Sequence, residues 1–275
     1  MRSVKRSTAR QPSPSPALAA ARYTADFVAQ SLPRRAHTIL DVGCGSGDVA
    51  AHLVQRGYEV TGIDLSSTAV RNCRKRGIPA IHADFTNYDT DRRYDAILFS
   101  RSLHHVEDPR AILRRAGGML VPRGVLLIEE FAFESVDEIS ASWLVNALRL
   151  LIAGGLANEP RHRLPREGRP ALDWWKDRHH EKIHEGRQVI AAAKSCFSVA
   201  ETEGVPYLFQ YAVPILKKSA GSRRVLEQVR ALELASFGAG RRPFAGIRAI
   251  CRQGRQTGQV ARKALERVKG IEPSS

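Results

Sequence analysis

Long apolar runs are missing from these 275 residues. Nothing approaches the ~20 consecutive apolar residues that a membrane-spanning helix needs, so no transmembrane segment is expected. Cysteine is scarce: Cys44, Cys73, Cys196 and Cys251 stand apart, without the spacing of a disulfide framework or a CxxC metal site. That usage points to a reducing compartment, and a cytoplasmic location is expected. Acidic residues are short as well, 28 against 43 lysines and arginines, for a formal net charge of +15. The deficit is uneven: residues 1–22 carry +5, residues 219–275 carry +8, and 23–218 only +2. Nucleic-acid binding is therefore open through the basic tails and not through the middle of the chain. Even there the C-terminal stretch has only two aromatic residues, Phe237 and Phe244, too few for a base-stacking platform.

What is present is 43% apolar content, enough to bury one full domain with extensions. The organising stretch is Ile39-Leu40-Asp41-Val42-Gly43-Cys44-Gly45-Ser46-Gly47-Asp48-Val49-Ala50. A short apolar run breaks into a glycine-spaced turn and resumes as an Ala-rich helix. Strand, tight loop and helix with glycines make a general nucleotide-site design. A dinucleotide fingerprint wants a third Gly or Ala where this chain has Asp48. An acid in a helix's first turn suits the helix dipole but repels a pyrophosphate seated there. The expected ligand lacks phosphate and carries positive charge, which Asp41 and Asp48 would both tolerate.

Residues 1–22, Arg/Ser/Pro-rich, read as a disordered basic arm, and their acid-poor composition also matches a transit peptide. Apolar spacing predicts a helix over 22–32. Strands are predicted at 38–42, 58–63, 78–82, 94–99 and 124–130, alternating with helices at 47–56, 67–76 and 110–119. The first two of those helices end Arg-Gly, a basic last turn followed by a residue suited to the left-handed position beyond it. Ser66 or Ser67 caps the second. This alternation predicts right-handed crossovers and an α/β, doubly wound, mostly parallel sheet. Residues 131–185 break the rhythm with an apolar helical run at 143–152 and a Trp174-Trp175 pair. After a helix at 187–195, strands at 197–201 and 206–213 are expected to close the sheet. Residues 219–275 remain as a basic, partly helical extension containing a helix at 223–237.

Asp41–Gly47, together with Asp64, Asp84 and Ser102-Leu103-His104-His105-Val106-Glu107-Asp108-Pro109, resemble class I S-adenosylmethionine-dependent methyltransferases. The likeness is greatest to the small-molecule and quinone-type, type 11-like branch, and covers roughly 23–218. It implies a Rossmann-like seven-stranded sheet with an antiparallel last strand, a catalytic domain over 23–218, and a helical substrate lid at 131–185. A leading helix over the cofactor cleft is also implied. The reaction implied is methyl transfer from S-adenosylmethionine to a small-molecule or lipid-like acceptor. Asp41 would reach the methionine amino group, while Gly43, Gly45 and Gly47 shape the loop around the cofactor. Asp64, at its strand tip, would take the ribose hydroxyls, with Leu65 against one adenine face. Asp84 would meet the adenine amino group, and Phe85 either packs beside the adenine or enters the core. Ser100 would face the reaction end.

The loop after the fourth strand lacks the Asn/Asp-Pro-Pro-Tyr sequence of enzymes that methylate adenine or glutamine amino groups. His105 is the candidate base near neutral pH, the alternative being a loop-holding histidine. His180-Glu181-Lys182-Ile183-His184 matches a zinc-protease pattern, which works only on a helix. Gly186 follows at once and helical periodicity starts only near Arg187, so no metal is expected. His184 is expected instead to point at substrate from the lid, with Trp174 and Trp175 as its apolar wall. Two other readings stay open: an RNA methyltransferase using the tails, and a cofactor-binding scaffold without turnover.

Overall fold

The computed structural model describes residues 15–179, 184–238 and 242–253. Seven strands form one sheet in the order β3-β2-β1-β4-β5-β7-β6. The first half follows the predicted alternation closely: β1 (Thr38–Val42), α2 (Asp48–Gln55), β2 (Glu59–Asp64), α3 (Ser67–Lys75) and β3 (Ala80–His82). Next come β4 (Tyr94–Ser100), α4 (Pro109–Gly118) and β5 (Leu120–Phe131). β1 pairs in parallel with both β2 and β4, so the winding direction reverses between β1 and β4. In such sheets the crevice beyond the strands' carboxyl ends at that reversal is where ligands bind. β1 has four buried residues out of five, as a strand covered on both faces must.

The expected boundary at residue 22 is corrected. α1 runs from Pro16 to Ser31, with Ser15 Oγ accepting the Leu18 N–H and Pro16 preset for the first turn. Its Ala20, Ala21, Ala25 and Val28 are buried, and Thr24 Oγ1 donates to Glu129 Oε1 at 2.6 Å, tying the helix to β5. Residues 1–14 of the predicted arm lie outside the described residues.

The close of the sheet is corrected too. β6 (Ser198–Val205) follows α7 (Gly186–Cys196) as expected, but 206–213 is not a strand. Leu208–Ala212 forms a 3-10 turn, and the N–H groups of Tyr207, Leu208 and Phe209 all donate to the buried Glu233 carboxylate. With three donors captured and Pro206 and Pro214 flanking, no ladder can form there. The seventh strand is β7 (Gly246–Arg252), from the stretch expected to be tail. It lies between β5 and β6 and runs antiparallel to both.

The boundary at 218 therefore falls inside the folded unit. α8 (Ser222–Phe237) buries Leu226, Val229 and Phe237 in the same apolar cluster as the 131–185 helices. Those helices are α5 (Glu138–Ala153) and α6 (Ala171–Arg178). Part of the C-terminal charge is likewise internal: Arg248 on β7 pairs with Glu129 at 2.6 Å and donates to the Tyr23 carbonyl. Among the described residues no helix is long and apolar enough to cross a membrane.

Candidate functional site

The chain leaves β1 through Gly43, whose φ of +77° places it in the left-handed region. A Cβ on Gly43 would lie 2.6 Å from the Ser102 Cβ, so the glycine lets the loop after β4 close directly onto the loop after β1. Ser102 Oγ seals that contact by donating to the Val42 carbonyl at 2.9 Å. At the tip of β2, the Asp64 carboxylate accepts the Gly45 N–H at 2.9 Å and the Ser66 N–H at 2.8 Å. Both oxygens are thus held in place while their remaining lone pairs face the crevice. Past β3, Asp84 accepts the Thr86 N–H at 2.8 Å, and the Thr86 hydroxyl and N–H hold its carboxyl below the usual carboxylate range.

These groups line a cavity of about 460 Å³, within the range of small-molecule sites. Of the sequence-predicted residues it brings together Gly43, Asp64, Leu65, Asp84, Phe85 and His105. Leu65 is 69% exposed on its wall, a large apolar side chain with no protein cover. Phe85 enters the core, buried edge-on against Phe99, and also lines the cavity. Asp64, Asp84 and Glu107 outnumber Arg101 and His105 on the lining, so its charge favours a cationic ligand over a polyphosphate.

Asp41, Gly45, Gly47 and Ser100 stand behind this lining. Asp41 is 2% exposed, and burial pushes its carboxyl up to about 7 against the opposing pull of Arg101. Gly45 contributes its N–H to Asp64, and Gly47 caps α2 with its Cα against Cys73. The Ser100 Oγ is buried without a hydrogen-bond partner among the described residues. Asp48 does not line the cavity. Ser46 Oγ donates to its carboxylate at 2.5 Å, and the Arg76 guanidinium stands 2.9 Å away without hydrogen-bond alignment. Its charge is spent inside the protein.

Several groups at the crevice escaped sequence reasoning. Glu130, fully buried, accepts the N–H groups of Ser102 at 2.8 Å and Leu103 at 2.6 Å. Its other oxygen accepts His104 Nδ1–H at 2.6 Å, which leaves the Nε2 lone pair of a buried imidazole for proton acceptance. The His104 and His105 rings lie 3.9 Å apart. Next to them, Phe131 stacks on Tyr207 at 4.7 Å and contacts Trp175, His179 and Tyr211.

The three lid residues separate. Trp175 is 2% exposed in the core, while Trp174 lines a different cavity. His184 donates its backbone N–H to the His104 carbonyl, and its ring Nε2 lies 3.3 Å from the Glu107 carbonyl. Residues 180–183 of the zinc-like motif lie outside the described residues, among which no metal-holding cluster occurs.

A family model described as a methyltransferase domain matches residues 17–188. An uncharacterized methyltransferase of Mycobacterium tuberculosis is 34% identical over 132 residues, or 46% of this chain and 64% of that protein. The ubiquinone biosynthesis O-methyltransferase of Pasteurella multocida is 29% identical over 122 residues, or 38% of this chain and 48% of that protein. The chain thus spans about half to two thirds of the length of these relatives. Among solved structures, the plantazolicin methyltransferase BpumL matches with a TM-score of 0.51 at 14% identity, over 87% of this chain and 85% of that one. The cyclase SpnF matches with a TM-score of 0.53 at 18% identity, over 85% and 81%. At such identities the likeness is one of fold.

Proposed function

Because the chain belongs to the methyltransferase-domain family, we propose that it binds S-adenosylmethionine at the sheet's reversal point and methylates a small-molecule or lipid-like acceptor. The observation that carries this reading is the Asp64 carboxylate, fixed by the Gly45 and Ser66 N–H groups and turned to a cavity with net acidic lining. Asp64 takes the two ribose hydroxyls, and Leu65 and Phe85 bracket the adenine, whose amino group meets Asp84. Gly43 lets the ligand approach the backbone, and Asp41 behind it offers a carboxylate to the amino group. When bound, S-adenosylmethionine supplies an electrophilic methyl group. The chain supplies alignment, exclusion of water by the 131–185 helices, and a proton acceptor in the His104–Glu130 pair beside His105. An acceptor hydroxyl is favoured, in keeping with the O-methyltransferase named among the relatives. Calorimetry tests the reading first: S-adenosylhomocysteine should bind and NAD should not, and the reverse result would sink it. Extracts labelled with methyl-tritiated cofactor, with and without the protein, then identify the acceptor. Cofactor binding without turnover on any extract would leave a scaffold.

A further inference from the structure

A second cavity, of about 480 Å³, opens between the helical insertion and the segment 211–215, and shares no lining residue with the first. Leu148, Trp174, Pro214 and Ile215 give it an apolar wall. The Arg178 guanidinium lies 5.6 Å from the Trp174 ring and 5.3 Å from that of Tyr211. Both rings are fixed. Trp174 Nε1–H donates to the Arg163 carbonyl at 3.0 Å. His179 Nδ1–H donates to the Trp175 carbonyl, so His179 Nε2 must accept the Tyr211 O–H, at 2.7 Å. A guanidinium held against two rings keeps its N–H edge available for a planar or tetrahedral anion. Among the described residues no carboxylate forms an ion pair with Arg178 or Arg161, and the neighbouring Asp177 is taken by Arg169. Arg161 and His162 add positive character to the rim, against the exposed Glu159.

We propose that this cavity binds a carboxylate or a phosphate monoester carried on an apolar, ring-sized body, with Arg178 as the anion's partner and Trp174 as the wall for the ring. The apolar wall decides against a bare anion, which would leave it uncovered, and the Arg178 edge decides against a neutral ring. Burial of a ring against Trp174 and Ile215 brings the ligand's anionic end to the guanidinium without displacing any ion pair. Arg178 is half-buried at the end of α6, so its replacement leaves the core intact.

Intrinsic tryptophan fluorescence of the full-length protein, without added cofactor, tests this with benzoate, phenyl phosphate, benzamide and inorganic phosphate. Benzoate or phenyl phosphate should give a saturable change that benzamide and inorganic phosphate do not. Arg178→Gln should weaken that binding at least tenfold while the thermal melt is retained, and Arg178→Lys should fall between. Absence of saturation with both anions, equal binding by Arg178→Gln, or equal binding of benzamide would overturn the proposal. Inorganic phosphate binding as tightly as phenyl phosphate would overturn its apolar part. None of these readouts depends on S-adenosylmethionine, so failure here and failure of the methyltransferase reading are distinguishable.

Discussion

Cutting the chain after Ala220 should abolish folding, whereas cutting after Gln253 should not. The shorter chain loses α8 and β7. Leu226, Val229 and Phe237 of α8 are 0–6% exposed, and at ~1.5–3 kcal/mol for each large apolar side chain their loss costs about 5–9 kcal/mol. Removing Glu233 leaves the Tyr207, Leu208 and Phe209 N–H groups without their acceptor, at ~1–3 kcal/mol for each one left buried. Among the described residues β6 pairs only with β7, so it would leave the sheet and expose one edge of β5. These losses match or exceed a typical total stability of ~5–15 kcal/mol. Size-exclusion chromatography and near-ultraviolet circular dichroism during heating are the assay. The 1–220 chain should be aggregated or without a cooperative melt, and the 1–253 chain should melt within a few degrees of full length. A cooperative melt of 1–220, with S-adenosylhomocysteine affinity within a few-fold of full length, would refute the reasoning. It would mean that the sheet closes without its antiparallel strand.

Asp64→Ala should weaken S-adenosylhomocysteine binding by ~1.5–3 kcal/mol in calorimetry, the worth of charge-assisted hydrogen bonds. Unchanged affinity would place the ribose elsewhere. Gly43→Ala should cost both stability and cofactor affinity, because φ is +77° and the new Cβ would meet the Ser102 Cβ at 2.6 Å. A melt and affinity equal to wild type would show that Ser102 moves freely. Asp41 predicts two pH dependences of opposite sign. Its carboxyl is raised from 3.8 to about 7, so the folded state holds a proton that the unfolded chain has lost over that window. The ligand-free stability should therefore fall between about pH 4 and 7, by at most ~4 kcal/mol, and Asp41→Asn should remove that fall. Binding of an amino group needs the ionised form, so S-adenosylhomocysteine affinity should rise up to tenfold per pH unit towards pH 7 in wild type only. Equal pH profiles in Asp41→Asn would refute the role.

Much of the cavity lining was legible because it is local. Asp64 ends β2, Gly43 and Asp84 sit one and two residues past β1 and β3, each strand announces itself by apolar content, and the strand order places their tips together. The final strand was not legible for two physical reasons. Ile247, Ala249 and Cys251 alternate with Arg248, Ile250 and Arg252, and the arginines resemble a solvated tail. Distant partners, Glu129 119 residues earlier and the Tyr23 carbonyl, make Arg248 an interior residue. In the same way the apolar run 207–213 resembles a strand until Glu233 captures its first three N–H groups. A carboxylate from a later helix overrides the local preference, and no window of sequence contains both partners.

Arg101 joins the two halves of the crevice. Among the described residues it is one of two non-glycine residues with positive φ, at +58°, and it lies where β4 opens onto the crevice. Such a conformation costs ~1–3 kcal/mol unless its surroundings impose it. Here they do: the Arg101 N–H donates to the Glu129 carbonyl at 2.7 Å, and the next two N–H groups go to Glu130. The consequence is electrostatic. Arg101 lines the cavity at the sheet's reversal point, lowers the Asp41 carboxyl against burial, and acts in the same sense on the buried Tyr207 phenol. One guanidinium thus acts both on Asp41 and on the tyrosine stacked on Phe131. The strained turn is fixed by the Glu129 carbonyl and the Glu130 carboxylate at the end of β5, and the side chains of the same two residues anchor α1 and orient His104. Glu129 and Glu130 therefore set the geometry of the crevice on both sides, without either lining it.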